Sequence, residues 1–274
     1  MTQDMGTETP VPTRPDTEAR RPKRPGPAIM RVRPRLASLA AAQPERIADG
    51  VWLIRGGLTR AMNVYLLEDG DGVVMFDAGE EDMAPAIAVA AARLGGIKRI
   101  VLGHADFDHR GSAPALSAAP VYCHPDAVAE AQGRGGRSYM RFGKLPFWIR
   151  PLYRFLPDLW DGGPVEISGT VREGDQVAGF EVIDFSGHAP GLIGLWRTSD
   201  RVALVSDCFY VTDPVGRRVS ARTPHEAFNL DTEQARESIR KLARLDPLTC
   251  WPGHRGPLTG ADLRAELERA ASRS

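Results

Sequence analysis

Residues 104–109 read His104-Ala105-Asp106-Phe107-Asp108-His109, and four of these six side chains can bind a metal ion. Carboxylates this close together repel one another unless a cation lies between them. Alternate residues of an extended or turning chain point the same way, so the pattern predicts that His104, Asp106 and Asp108 converge while His109 turns to a second position. Imidazole and carboxylate ligands together favour Zn²⁺, Fe²⁺ or Mn²⁺. The alternative is a polar loop that caps a helix near Gly111.

Further polar residues end apolar, strand-like runs elsewhere in the chain. These are Asp77, His188, Asp207 and His254. A glycine directly precedes each histidine in Gly103-His104, Gly187-His188 and Gly253-His254. Strand ends of one sense gather at one edge of a layered α/β fold, where ligands usually bind. Five separate segments are therefore expected to deliver His or Asp to one rim, and the glycines allow the sharp turns that a crowded metal centre needs.

The body of the chain alternates short apolar runs with turn signals. It predicts strands at 51–54, 63–67, 73–76, 98–102, 120–123 and 247–251, with a hairpin turn at 69–72 and a second β-rich stretch at 164–206. It predicts helices at 82–94, after Gly111, from Asp231 to about Leu245, and from about residue 260. Both halves end with a strand followed by a helix, so we expect two β-sheets packed face to face with helices outside.

Composition excludes several classes of protein. The 274 residues carry 35 Lys and Arg against 35 Asp and Glu, and this neutral balance argues against nucleic-acid binding by bulk charge. No run approaches the ~18 apolar residues of a membrane span, so stable membrane insertion is not expected. Three scattered cysteines are too few for a disulfide framework and suit a reducing compartment, which favours a cytoplasmic location.

The first 36 residues differ from the rest of the chain. They hold 7 of the 22 prolines and carry eight basic residues against four acidic ones. Such a stretch cannot bury enough apolar surface to offset the entropy lost on ordering. We therefore interpret 1–36 as a disordered tail and 37–274 as the folded domain.

Residues 133–165 form the most individual segment of the sequence. Aromatic and aliphatic residues alternate there with Arg and Lys, and prolines interrupt any long helix. The segment falls between the motif at 104–109 and His188, where an insertion can cover the rim. It is interpreted as a lid that lines an apolar substrate pocket. A homodimer contact and a segment lying on a membrane surface are the alternatives.

The successive motifs resemble those of the metallo-β-lactamase-fold hydrolases over roughly 47–260. The motifs that carry the resemblance are 63–67 (NVYLL), Phe76-Asp77-Ala-Gly79, the stretch 104–109, 187–191 (GHAPG), Ser206-Asp207 and Pro252-Gly253-His254. The resemblance implies an α/β fold, a four-layer αββα sandwich with two metal ions at its rim. The motifs are specific for this fold and only weakly specific for the substrate.

The resemblance also implies a ligand set, carried over residue by residue. Site one would consist of His104, Asp106 and His188, and site two of Asp108, His109 and His254. Asp207 would bridge the two ions, and Asp77 would orient a ligand from behind. The commonest motif of the family has histidine where this chain has Asp106. This departure leaves the identity of the metal open, with two zinc ions expected and manganese or iron as alternatives.

The implied activity is hydrolysis of an ester, lactone or thioester bond in a small or acylated molecule by a metal-activated hydroxide. Asp108 would handle the proton, and Tyr210, three residues after Asp207, resembles the tyrosine with which the family's lactonases hold the carbonyl oxygen. Packing at the strand end is the alternative role for Tyr210. The expected partner is a small molecule with an apolar part. A phosphodiesterase, a mononuclear non-haem iron oxygenase of the same fold and a non-catalytic binding protein are the alternative functions.

Overall fold

Two β-sheets form the body of the protein, with helices on their outer faces. The computed structural model describes residues 43–57, 60–211 and 220–273. The tail predicted at 1–36 lies outside the described residues. Within the described part, the structure is mixed α/β, as the sequence predicts.

The first sheet contains seven strands in chain order. They are β1 (Glu45–Ala48), β2 (Val51–Gly56), β3 (Met62–Asp69), β4 (Gly72–Phe76), β5 (Ile97–Val101), β6 (Val121–Cys123) and β7 (Gly169–Thr170). The pairs from β1 to β4 are antiparallel and those from β4 to β7 are parallel. Asp69 pairs with Gly72, which confirms the hairpin, and helix α1 (Ala84–Ala92) makes the crossover from β4 to β5.

The second sheet contains six strands in the order β13-β12-β11-β10-β9-β8. They are β8 (Gln176–Val177), β9 (Phe180–Asp184), β10 (Ile193–Arg197), β11 (Val202–Ser206), β12 (Thr249–Pro252) and β13 (Leu258–Thr259). Only β11 and β12 are parallel among the described pairs of this sheet, and helix α5 (Thr232–Arg244) connects them. The Asp231 side chain accepts hydrogen bonds from the first turn of α5, as the sequence predicts, and α6 (Leu263–Ser272) follows β13.

Side-chain alternation along the strands divides the core into three layers. In β3, Leu66 packs outward with Ile87 of α1, whereas Leu67 packs inward in one cluster with Leu195 of the second sheet. The outer face of the second sheet packs in a third cluster that includes Ile239 of α5. Neighbouring residues of a strand point to opposite faces, so one strand contributes to two cores. Together these layers are the αββα sandwich.

The helix predicted after the motif at 104–109 differs in position from the short helices observed there. The sequence predicts a helix after Gly111, but α2 (Phe107–Arg110) lies before it, and only a 3-10 helix (Ala113–Leu116) follows. The motif therefore begins extended and ends as a helical turn. Alternation of side chains holds only in its extended part, so the expectation that His104, Asp106 and Asp108 converge is wrong.

The segment 133–165 is mostly irregular, as its composition predicts. It contains 3-10 helices at Phe142–Lys144 and Leu152–Arg154 and the helix α4 (Leu156–Trp160), and α3 (Val128–Ala131) precedes it. No helix among the described residues is both long and apolar enough to cross a bilayer.

Candidate metal centre

The carboxyl ends of five strands meet at one rim of the two sheets. The residues that follow β4, β5, β9, β11 and β12 there are Asp77, His104, His188, Asp207 and His254. Two backbone hydrogen bonds join the sheets at this rim, from Ile193 N to Gly103 O (2.7 Å) and from Asn63 N to Gly253 O (2.8 Å). Helix α2 adds Asp108 and His109. The structure thus brings together every residue that the sequence nominates as a ligand.

One cluster of possible ligands consists of His104, Asp106 and His188. Asp106 Oδ2 lies 3.5 Å from His104 Nε2 and 3.5 Å from His188 Nε2. All three residues are buried. Two imidazoles and one carboxylate therefore face a common point.

A second cluster consists of Asp108, His109 and His254. His254 Nε2 lies 3.5 Å from Asp108 Oδ2 and 3.2 Å from His109 Nε2. Because α2 is helical, Asp108 joins His109 here rather than His104. This division of the ligands is the one that the resemblance implies.

Asp207 lies between the two clusters. Its Oδ1 is 3.3 Å from His109 Nε2, and its Oδ2 is 3.3 Å from His254 Nε2 and 3.7 Å from His188 Nε2. One carboxylate therefore reaches histidines of both clusters.

Three histidines are held from behind through Nδ1. His104 Nδ1 lies 3.0 Å from Ser206 Oγ, and His109 Nδ1 lies 3.1 Å from Asp77 Oδ2. His188 Nδ1 lies 3.1 Å from Asn229 Oδ1. These contacts fix the ring orientations and leave each Nε2 directed at the centre, as is usual for metal-binding histidines.

Asp77 and Ser206 connect these supports into a network. Ser206 Oγ donates a hydrogen bond to Asp77 Oδ2 (2.6 Å), and Gly103 N donates one to Asp77 Oδ1 (2.7 Å). Both residues adopt left-handed backbone conformations, with φ of 57° at Asp77 and 45° at Ser206. Such conformations cost on the order of 1–3 kcal/mol each. In these conformations both side chains take part in the network behind the clusters.

Gly253 shows why a glycine precedes a ligand. A Cβ built at this position would overlap Asp207 Oδ1 and the His109 ring. The backbone before His254 can therefore approach the centre only because residue 253 has no side chain.

The charges within the centre stabilise one another strongly. Burial alone would raise the pKa of Asp207, but His254 and His109 hold it well below its usual value. Burial alone would lower the pKa of His109, but Asp207 and Asp77 raise it well above its usual value. Asp207 thus remains anionic and attracts positive charge at this point.

The donor set fits divalent cations. His104 Nε2 and Asp207 Oδ1 are buried and make no hydrogen bond, and buried polar atoms without a partner are uncommon. Asp77, Asp106, Asp108 and Asp207 bring four carboxylates to the network. A cation in each cluster would satisfy the free ligand atoms and balance this charge.

A cavity of about 350 Å³ opens onto the two clusters. The segment 133–165 supplies an apolar part of its wall: Met140, Tyr153, Leu156 and Trp160. Phe228 adds to this wall. The ring centroid of Tyr210 lies 6.0 Å from that of His188 and 5.8 Å from that of His254, so Tyr210 faces the cavity beside both clusters.

A buried arginine attaches this wall to the ligand-bearing helix. Arg110 Nε and Nη2 donate to the two carboxylate oxygens of Asp161 at 3.1 and 3.0 Å. Its Nη1 donates to the carbonyl oxygens of Glu130, Ala131 and Gly133. Arg110 directly follows His109, so the guanidinium connects the cavity wall to the centre.

Three residues support the ligands in a role that the sequence alone does not assign to them. Ser206 had a signal, since it directly precedes Asp207 at a strand end. No sequence signal marks Asn229. It is brought to His188 by tertiary contacts, in which Leu230 N and Asp231 N donate hydrogen bonds to the carbonyl oxygens of residues 188 and 187. Tyr139, which donates a hydrogen bond to Asp106 Oδ1, was included only as part of the aromatic segment.

Comparisons with known proteins agree with this architecture. The family model of the metallo-beta-lactamase superfamily matches residues 59–254. The chain is 28% identical over 242 residues to the probable metallo-hydrolase YflN of Bacillus subtilis (strain 168), covering 80% of this chain and 90% of that protein.

Two solved structures illustrate the similarity of fold. A metallo-beta-lactamase family protein of Thermus thermophilus, TTHA1429, aligns with a TM-score of 0.59 and 22% identity over 83% of this chain and 80% of that one. TTHA1623, solved in a di-iron-bound form, aligns with a TM-score of 0.55 and 25% identity over 76% of this chain and 93% of that one. Because the family model matches most of the folded body, this chain belongs to the metallo-beta-lactamase superfamily.

Proposed function

We propose that this protein is a binuclear metallo-hydrolase that cleaves an ester, lactone or thioester bond in a small or acylated molecule. The observation that carries the proposal is the pair of His/Asp clusters, joined by Asp207, at the base of a cavity with an apolar wall. The clusters support the hydrolytic chemistry, and the wall supports a substrate with an apolar part.

Each cluster would hold one divalent cation, with Asp207 shared between them. We propose zinc for both positions, with manganese or iron as alternatives, because imidazole and carboxylate ligands suit all three. Two such ions supply a Lewis acid and a hydroxide near neutral pH. The supports behind His104, His109 and His188 keep the ligand atoms in place throughout the reaction.

Asp108 is the proposed proton-transfer group. Its side chain is 16% exposed, whereas those of Asp106 and Asp207 are each 3% exposed. A carboxylate at the cavity floor can accept the proton of an attacking water and return it to the leaving group. Its 3.5 Å contact with His254 Nε2 holds it at the second cluster.

Tyr210 is the proposed donor to the substrate carbonyl oxygen. Its backbone is fixed by hydrogen bonds in both directions with Arg222 (3.0 and 2.8 Å), and its ring lies beside His188 and His254. Burial and Asp207 raise the pKa of Tyr210 well above its usual value, so the phenol keeps its proton. A neutral phenol at the cavity wall can stabilise developing negative charge on an oxygen.

Tyr210→Phe is expected to lower kcat by about ten-fold or more, because it removes one donor to the developing oxyanion. Metal content should not change, since Tyr210 belongs to neither cluster. Steady-state kinetics on an activated ester and a lactone would measure the effect. Tyr122→Phe, in β6, is the matched control and should behave as wild type. Unchanged kinetics for Tyr210→Phe would contradict the proposal and show that Tyr210 only packs at the strand end.

A substrate panel tests the proposed reaction. Protein reconstituted with zinc, manganese or iron would be assayed against esters, lactones and thioesters that carry acyl chains of increasing length. We expect hydrolysis that requires metal and becomes more efficient with chain length, because longer chains contact more of the apolar wall. Phosphodiesters in the same panel test the alternative hydrolase. Cleavage of phosphodiesters alone would contradict the proposal.

One observation favours a second candidate, a mononuclear non-haem iron oxygenase. His104, Asp106 and His188 form a two-histidine, one-carboxylate set, which is the ligand type of many iron oxygenases. Oxygen consumption by iron-loaded protein, without hydrolysis of any member of the panel, would favour this candidate.

The remaining proposals concern partners and location. The apolar cavity wall supports a small-molecule substrate, with no nucleic acid and no stable membrane insertion. Phe147, Trp148 and Phe155 are exposed and would provide the contact in the homodimer that the sequence offers as an alternative to a lid. The three cysteines are buried free thiols, which suits the proposed cytoplasmic location.

A further inference from the structure

Asp106 is held at both ends of its carboxylate. Its Oδ1 accepts a hydrogen bond from the hydroxyl of Tyr139. Its Oδ2 lies 3.5 Å from both His104 Nε2 and His188 Nε2. The two oxygens therefore have different environments, one facing a phenol of the segment 133–165 and one facing the first cluster.

The different environments of the two oxygens matter because Asp106 stands where the commonest motif of the family has a histidine. An imidazole offers one nitrogen to a cation and uses the other to hold its orientation. A carboxylate offers two equivalent oxygens and can bind a cation through one or both. A hydrogen bond to Oδ1 draws charge from that oxygen and leaves Oδ2 as the better ligand atom. Tyr139 thus does for Asp106 what Ser206 and Asn229 do for His104 and His188.

The backbone around Tyr139 is shaped to reach the carboxylate. A Cβ at Gly136, where φ is +82°, would collide with Asp106 Oδ1. Gly136 N donates to Glu130 Oε2 (2.8 Å), and Tyr139 N donates to Gly136 O (3.2 Å). The turn is therefore fixed beside Asp106, and only a residue without a side chain fits at its closest point.

Packing fixes the ring of Tyr139 as well. The residue is 9% exposed and belongs to the hydrophobic cluster on the outer face of the second sheet. Its hydroxyl therefore reaches Asp106 from a side chain with little freedom to move. A hydrogen bond to an anionic group is stronger than one between neutral groups, so this contact can bias which oxygen of the carboxylate binds a cation.

We propose that Tyr139 is a positioning residue that makes Asp106 a one-oxygen ligand of the first metal ion and couples the segment 133–165 to that ion. The inference rests on the proposed metal sites and concerns how the first of them is built. It assigns to Tyr139 a role that neither the motif nor the comparisons with known proteins provide.

Tyr139→Phe tests the proposal, because it keeps the ring and removes the hydroxyl. We expect one cation to bind with wild-type affinity and the other about 10- to 100-fold more weakly, the usual cost of losing a partner that orients a ligand. Competition titrations with a chromophoric chelator would measure the two affinities separately. Tyr153→Phe removes another phenol from the same segment, one that lies in neither cluster, and should leave both affinities unchanged.

A spectroscopic readout separates positioning from a general loss of structure. In the cobalt-substituted protein, the visible bands report the coordination number of each ion. Tyr139→Phe should change the bands of one site only, because Asp106 would gain freedom to bind through both oxygens. Equal affinities and identical spectra for Tyr139→Phe and wild type would overturn the inference. Wild-type protein that binds no cation would instead contradict the proposed function, and the inference would fall with it.

Discussion

Asp207→Asn should lower kcat/KM by about three orders of magnitude and weaken the binding of both metal ions at once. The substitution keeps the size of the side chain and removes its charge. Asp207 contacts His109 through Oδ1 and both His188 and His254 through Oδ2, so no ligand that serves a single cluster can have the same effect. Metal ions contribute several kcal/mol of transition-state stabilisation. A loss of about 4 kcal/mol corresponds to a factor of ~10³.

Metal content and steady-state kinetics, measured on the same preparation, check this prediction. Asp200→Asn is the control, because Asp200 pairs with Arg197 and belongs to neither cluster of ligands. The control should bind metal and turn over as wild type. An Asp207→Asn protein that retains both ions, or that loses less than about ten-fold in kcat/KM, would show that Asp207 does not bridge the clusters.

Arg110→Met should lower the free energy of unfolding by about 3–5 kcal/mol, the usual cost of removing one partner of a buried ion pair. Arg110 is 1% exposed. Its loss leaves Arg137, whose Nη1 lies 2.6 Å from Asp161 Oδ2, as the remaining cation beside a carboxylate that also accepts a hydrogen bond from Gly163 N. It also leaves the carbonyl oxygens of Glu130 and Ala131 without this donor. Burial alone would raise the pKa of Asp161, but Arg110 and Arg137 lower it overall, so the carboxylate is charged at neutral pH.

Urea denaturation of the reconstituted protein would measure this effect. Arg201→Met is the control, because Arg201 pairs with Asp246 at an exposed position and should cost about 1 kcal/mol or less. The double variant Arg110→Met/Asp161→Asn should be more stable than Arg110→Met, since it removes the charge of a buried carboxylate that has lost Arg110 and keeps only Arg137 as a cationic partner. A single variant as stable as the control, or a double variant less stable than the single one, would contradict this account of Arg110.

Much of the fold could be predicted from local pattern. The hairpin at 69–72 and the cap of α5 at Asp231 depend on turn and cap residues that act over a few positions. The strand ends that carry His104, His188 and Asp207 follow from apolar runs that stop at a polar residue. Because these signals depend only on neighbouring residues, they can be recognised in a single sequence.

The arrangement within the centre depends on contacts that local pattern does not encode. Strand-like alternation predicts that Asp108 lies with His104, but a helical turn at 107–110 places it with His254. Asn229 and Tyr139 act on His188 and Asp106 across 41 and 33 residues. The aromatic segment divides into a face that lines the cavity and an exposed face, and only the packed chain determines which residue lies on which face.

The measurement that tests the central claim most directly is the metal content of the native protein, purified without a metal-binding tag or chelator. Mass spectrometry of the dissolved metals, combined with an accurate protein concentration, would give the number and identity of the ions. The paired clusters around Asp207 predict two divalent cations per chain. A protein that holds fewer than two, even after reconstitution with zinc, manganese and iron, would contradict the binuclear centre.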